Sequence, residues 1–283
     1  MTVLFNSGKN GQVSKHDVIN ALKKVKADEC DVLYIHTDMT FGLPSQKRNI
    51  LLAELYDAIA SLNVKTLIFP TFTFSFCNQE IFDVRKTPTK MGSLNEYVRK
   101  NVNGTRTSDP LLSVFVIGDK KNFTNNLGHY SIGENSNYDR IRACSDEVRF
   151  LFLGADMRQC FTYTHYMESV FSVPYRYNRE FDGTIIDENG IAHEHEKYFL
   201  FSSYSNTRLN SIPVVYNEMN SRNLLKTVDL GDSGLQCFSK NDATCVISDL
   251  LSENIFCLTD GSFKEEEKNY IYNPNNEYIV SVK

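Results

Sequence analysis

The sequence predicts an α/β fold: a central mixed, largely parallel sheet flanked by helices, with a β-rich C-terminal lobe. Three observations carry this. Apolar, β-branched and aromatic runs of strand length recur over the first 154 positions. A segment of helical period separates the first two runs, the spacing of a parallel strand–helix–strand unit. Beyond about position 175 the pattern becomes alternation around a turn, which reads as an antiparallel hairpin.

Taken in order, DVINALKKVK (17–26) has apolar residues at a helical period, and VLYIH (32–36) reads as a buried strand with TDMTFG as its loop. QKRNILLAELYDAIASL (46–62) is a second helix, and VKTLIFPTFTFSF (64–76) a second strand carrying Pro70. MGSLNEYVRKN (91–101) is a shorter helix with Ser93 as the expected N-cap. LLSVFVIG (111–118) and VRFLFLG (148–154) are two more strands, each closed by glycine. REFDGTIIDENGIAHEHEKYFLFSSY (179–204) is the hairpin, with ENG at its turn, while 217–230 and 240–254 look helical. The tail from Lys264 is polar and expected to be loosely held. With no repeat or low-complexity linker, one domain over 1–283 is preferred to two. It divides into an α/β body at about 1–175 and a β-rich and helical lobe at about 176–283.

Composition removes several function classes. Hydrophobic residues make up 41% of 283 positions, enough for a sizeable core. The net charge is −5 and acids and bases interleave, so no nucleic-acid partner is expected. No apolar run approaches the roughly 18 residues of a membrane span, and the start lacks a signal-peptide pattern. Seven cysteines without a C-x-x-C pair suit free thiols in a reducing compartment, so a cytoplasmic location is expected. Phosphate loops, dinucleotide-binding glycine patterns, nucleophile elbows and hexapeptide repeats are all missing.

The stretch FTYTHYMESV (161–170) sets His165 three residues before Glu168, on one face of a helix. From spacing alone the pair is a surface contact, half of a metal site, or a base with its partner. Two ligands are too few for a metal, and HEHE (193–196) reads more simply as a solvated hairpin edge than as ligands. Cys160 beside His165 leaves a thiol nucleophile as a further reading.

The pair belongs to an ordered series. His36, Thr37 and Asp38 follow the first strand, and Thr71 and Thr73 stand in PTFT. TPTKMGS carries Met91 and Gly92, RTSDPLLSV carries Arg106, Asp109 and Ser113, and Thr162, His165 and Glu168 come last. Over about 31–177 this series resembles the aminoglycoside 3-N-acetyltransferase family. The resemblance implies direct acetyl transfer from acetyl-CoA to a sugar amine through a tetrahedral intermediate, with no metal. His165 would be general base, and Glu168 would orient it or hold the acceptor ammonium. His36, Thr37, Asp38, Thr71, Thr73, Met91, Gly92 and Ser113 would meet the coenzyme. The Thr71–Thr73 loop is a candidate for polarising the thioester oxygen. Asp83, Asp109, Tyr166 and Arg176 would meet the acceptor.

Two departures shape the acceptor. The usual V-H-S-S is Ile35-His36-Thr37-Asp38 here, and Asp109 stands where antibiotic-modifying members tend to carry histidine. In these motifs the chain is more similar to the branch serving bacterial surface polysaccharides. A nucleotide-linked amino sugar is therefore the expected small-molecule partner, its phosphates meeting Arg85, Arg106, Arg158 or Arg176. An aminoglycoside is the alternative, a non-catalytic binding relative is the third reading, and a homodimer is allowed for.

Overall fold

The computed structural model describes residues 2–9, 11–119, 121–204 and 211–259, and the strands Asn269–Tyr272 and Tyr278–Ser281. Its strands are β1 (Val3–Ser7), β2 (Gly11–Ser14), β3 (Val32–Thr37), β4 (Leu43–Pro44), β5 (Thr66–Pro70), β6 (Phe82–Asp83), β7 (Thr105–Arg106) and β8 (Val114–Gly118), then β9 (Val148–Leu153), β10 (Arg176–Ile186), β11 (Ala192–Ser203), β12 (Lys226–Leu230), β13 (Ser233–Ser239), β14 (Asn269–Tyr272) and β15 (Tyr278–Ser281). Its helices are α1 (Lys15–Lys24), α2 (Arg48–Ala60), α3 (Ser93–Asn101), α4 (Lys121–Thr124), α5 (Asn137–Ala143), α6 (Met157–Cys160), α7 (Tyr163–Val170), α8 (Ser211–Ser221) and α9 (Lys240–Glu253).

Short polar side chains start several helices. Ser14 and Asp17 form a reciprocal capping box at α1, and Ser136 and Ser239 accept from the N3 backbone N–H of α5 and α9. Helix α3 differs. Its N-cap is Gly92, at φ +97°, and not Ser93; no side chain caps it. A glycine reaches that left-handed backbone at little cost.

The main sheet runs β12-β13-β9-β3-β5-β8-β7. Its centre, β9-β3-β5, is parallel, as the strand–helix–strand spacing requires. Every other join is antiparallel, so the sheet is α/β and mixed, with a parallel core narrower than expected. Alternation along the buried strands builds two cores. Val32, Tyr34, Ile68, Phe150 and Phe152 face α5, α7 and α9, while Leu33, Ile35, Leu67, Phe69, Leu151 and Leu153 face α1, α2 and α3. A second sheet pairs β11 with β10 antiparallel and β10 with β6 parallel.

Three local expectations are corrected. The second strand stops at Pro70, because Thr71 and Thr73 turn their N–H groups to the carbonyls of Ser113 and Leu111 in an irregular segment. The stretch 217–230 is half helix: α8 ends at Ser221 and 226–230 is strand β12. Strand β13 extends the main sheet beside β9, so the lobe after position 176 shares the body's sheet. Of the tail from Lys264, only β14 and β15 are described, paired antiparallel; the rest lies outside the described residues. Among the described residues no helix is long and apolar enough to cross a membrane.

Gly154 closes β9 at φ +72°, where a Cβ would strike the Asp38 carbonyl oxygen and the Phe41 ring. Gly154→Ala is expected to cost about 2 kcal/mol or more, from backbone strain and steric overlap. Denaturant unfolding should show a lower midpoint with an unchanged slope.

Candidate active site

Loops after the parallel strands are where an α/β sheet presents a site. Here they are knitted together. Thr37 at the end of β3 donates to Asn95 Oδ1 at 2.6 Å, and Asn95 Nδ2 donates to the Pro70 carbonyl at the end of β5 at 2.7 Å. The Lys90 N–H and the Thr89 hydroxyl both reach the Phe72 carbonyl at 3.0 Å. A Cβ at Gly92 would lie 3.6 Å from the Thr37 carbonyl oxygen. The segments carrying His36–Asp38, Thr71–Thr73 and Met91–Gly92 therefore converge, with Gly92 and Asp38 exposed and Met91 half-buried. Asn95 is the hub, 1% exposed. Sequence reading missed it, because an asparagine in a helical pattern carries no signal until its neighbours are known.

Several expected coenzyme contacts are instead internal. The Thr71 hydroxyl meets that of Ser113 at 3.1 Å, Thr73 donates to the Pro110 carbonyl at 2.7 Å, and all three side chains are buried. In the Thr71–Thr73 loop, the backbone N–H groups of Thr71 and Thr73 are also spent, on Ser113 and Leu111. The reason is Arg106. It is buried, and it donates to the Thr71, Thr87 and Val84 carbonyls and to the Thr71 and Ser113 hydroxyls. Burial, and then the nearby Arg99, push it down to about 9. These motif residues shape the loop floor.

His36 is buried at the end of β3 with its ring stacked on Phe152, centroids 4.7 Å apart. Burial pushes it down to about 3, too weak a base for work at neutral pH. Asp109 accepts from the Leu111 and Leu112 N–H groups and the Ser131 hydroxyl, and Asp83 from the N–H groups of Arg85 and Lys86. Both are buried turn-forming carboxylates, so neither is presented to an acceptor.

Helix α7 carries the functional pair. Glu168 has no exposed surface, and its Oε2 lies 2.8 Å from His165 Nδ1 and 2.8 Å from Arg176 Nε. Tyr175 donates to Oε1 at 2.9 Å. Burial alone would raise this carboxyl, but Arg176, His165 and Tyr175 together hold it below the usual carboxylate range. The His165 side chain is 23% exposed. Both of its contacts are on Nδ1, to Glu168 and to Arg176 Nη2 at 2.8 Å, so Nε2 has no hydrogen-bond partner among the described residues. Burial, then Arg176, lower its pKa, with Glu168 pulling the other way. The result is a neutral imidazole with one nitrogen held by a buried acid, an arrangement that accepts a proton at the other nitrogen.

The thiol alternative loses its footing. The Cys160 Sγ–H points at the Asp156 carbonyl, and burial pushes the thiol up to about 12, leaving little thiolate. The metal alternative fares no better: among the described residues no cluster of three or more His, Cys, Asp or Glu is placed to hold an ion. HEHE is interrupted by a bulge, with His195 at φ +59°. His193 meets Asp187 and His195 meets Asp182.

Beside the pair lies a cavity of about 630 Å³, bounded by Tyr130, Glu134, Asp139, Tyr166, Arg176 and Phe201 among others. Tyr166 stands in its wall and donates to Asp139 at 2.7 Å. Arg176 separates it from Glu168.

The model of the aminoglycoside 3-N-acetyltransferase family matches residues 51–252, most of the chain. The chain belongs to that family. It is an N-acetyltransferase with acetyl-CoA as donor. Three solved structures share the fold. Aminoglycoside acetyltransferase AAC(3)-IVa, as apoenzyme, aligns at TM-score 0.66 and 16% identity, over 91% of this chain and 92% of that one. AAC-IIIb, binary with CoASH, aligns at 0.68 and 14%, over 88% and 98%. AAC-VIa bound to sisomicin aligns at 0.65 and 16%, over 83% and 94% of the respective chains. No curated protein matches the chain. Nothing in these matches supports the surface-polysaccharide branch.

Arg106→Met should leave the Thr87 and Val84 carbonyls without their donor, while the Thr71 carbonyl keeps the Ser113 hydroxyl. The expected loss is about 3 kcal/mol or more of stability, several buried acceptors at 1–3 kcal/mol each, read by denaturant unfolding.

Proposed function

We propose that this family member acetylates an amine of an aminoglycoside-type acceptor, with His165 as general base. The observation that carries the reading is the His165–Glu168 pair, a partly exposed edge of neutral imidazole backed by a buried carboxylate. Acetyl-CoA supplies an activated acyl group as a thioester. The protein's part is proton handling: His165 Nε2 takes the proton of the attacking amine, and Glu168 steadies the imidazolium through Nδ1–H. The convergent loops at Thr37, Phe72 and Gly92 suit the pantetheine arm. The uncapped start of α3 offers backbone N–H groups there.

The acceptor follows from charge. A nucleotide-linked sugar needs free cations for its diphosphate. Of the four arginines considered for that task, Arg106 is enclosed by carbonyls, Arg158 is paired with Asp156 and Arg176 with Glu168, which leaves the exposed Arg85. Asp109, the other ground for a nucleotide-linked acceptor, is a buried turn residue. A polyamine needs acids, and Glu134 and Asp139 stand in the adjoining cavity. Neighbours named as aminoglycoside acetyltransferases point the same way. The test compares kcat/KM for gentamicin, kanamycin and a nucleotide-linked amino sugar by thiol release from acetyl-CoA. The reading expects the antibiotics to lead; preference for the nucleotide-linked sugar would overturn it.

His165→Asn should lower kcat by about a hundredfold or more, the usual contribution of positioned proton transfer. In the wild type, kcat/KM should fall as pH drops through the His165 pKa. Burial and Arg176 set that limb below the ordinary histidine value, about pH 6.5. The variant should lose the limb.

A further inference from the structure

A buried carboxylate against an imidazole poses a problem that the base reading leaves open. At 2.8 Å, in a site with no exposed carboxylate surface, Glu168 would draw a proton onto His165 to neutralise itself. The pair would then rest as imidazolium and carboxylate. Such a ring has no lone pair to offer the amine.

Arg176 supplies the missing charge. It enters from β10, its side chain is 4% exposed, and its Nε lies 2.8 Å from the same Oε2 that meets the imidazole. Its Nη1 is anchored on the Phe201 carbonyl at 3.3 Å, and its guanidinium carbon lies 5.8 Å from the Phe201 ring centroid. Its Nη2 sits 2.8 Å from His165 Nδ1. With Nδ1–H turned to Glu168, a cation at that distance opposes a second proton on the ring. The other titratable groups facing the pair are weak acids. Tyr175 bonds Oε1, and the Cys257 thiol, raised to about 11 first by burial and then by Glu168, faces the carboxylate from beyond α9.

We propose that Arg176 is a positioning residue: it neutralises Glu168 so that His165 rests as the free base, a role distinct from contact with the acceptor. This rests on His165 being the base. It also replaces the expectation that Arg176 binds substrate. The guanidinium forms a three-body unit in which one cation and one anion cancel, leaving the imidazole uncharged between them. In the reaction the ring gains its proton while both partners stay in place.

The test pairs a rate profile with a titration that needs no substrate. In Arg176→Met the acid limb of kcat/KM should move up by about one pH unit or more. Activity at pH 7 should then fall, by up to about threefold for a one-unit move, and recover as pH rises. Arg176→Lys, which keeps the charge, should hold the limb near its wild-type position. Because Arg176→Met leaves a buried carboxylate unpaired and could unfold, the double variant Glu168→Gln with Arg176→Met serves as a second arm. With both charges gone, the His165 midpoint should return toward the wild-type value. NMR titration of the His165 ring in the free protein should show the same order of midpoints. A uniform loss of activity at every pH, with the His165 midpoint unmoved in Arg176→Met, would make the residue merely structural and overturn the proposal. If His165 is not the base, the wild-type rate profile lacks the limb while the NMR midpoints still report on Arg176, so the two failures are told apart.

Discussion

A carboxylate with no exposed surface must find its compensation inside the protein, and Glu168 organises this molecule around that requirement. Its partners come from three places: His165 on its own helix, Tyr175 at the start of the hairpin, and Arg176 on β10. Helix α7 is thereby locked to the β10–β11 sheet, and His165 is turned so that Nδ1 faces inward. The same network fixes the His165 ring chemically and mechanically.

A second constraint lies at the ends of the parallel strands. Backbone groups released where β3 and β5 stop have to be satisfied without a sheet. Asn95 and Arg106 do this with side chains from outside the strands, one bridging Thr37 to Pro70, the other gathering the Thr71, Thr87 and Val84 carbonyls. The result is a stiff floor beneath the open loops at Asp38 and Gly92. Residues that resemble the family's coenzyme motif thus divide into those that build the floor and those that line its upper side.

Much of the fold was legible because buried strands announce themselves. VLYIH and VRFLFL have few alternatives, whereas the one helix start read from a serine, Ser93, lies a residue past the true N-cap at Gly92. The hairpin was readable from its turn. Strands β12 and β13 were not, since KTVDL and SGLQCFS are short and half-polar and take their structure from β9. At the site, His165 and Glu168 were legible because helical spacing makes them neighbours. The function of Arg176 was not. It joins them across a strand, a contact that no local period encodes. Asp109 and Ser113 misled for the opposite reason: a motif position shows that a residue matters, while only burial shows to what.

The place of β13 has a consequence for the chain as it is made. Strand β9 is flanked by β3 on one side and β13 on the other. Until Ser233–Ser239 has been synthesised, one edge of VRFLFL is a row of unpaired N–H and C=O groups beside phenylalanine and leucine. Such an edge recruits any other extended chain it meets. A fragment ending soon after Arg176 would carry every residue of the His165–Glu168–Arg176 unit and still be prone to aggregate. Ser233–Ser239, far along the sequence, is what covers that edge in the finished chain.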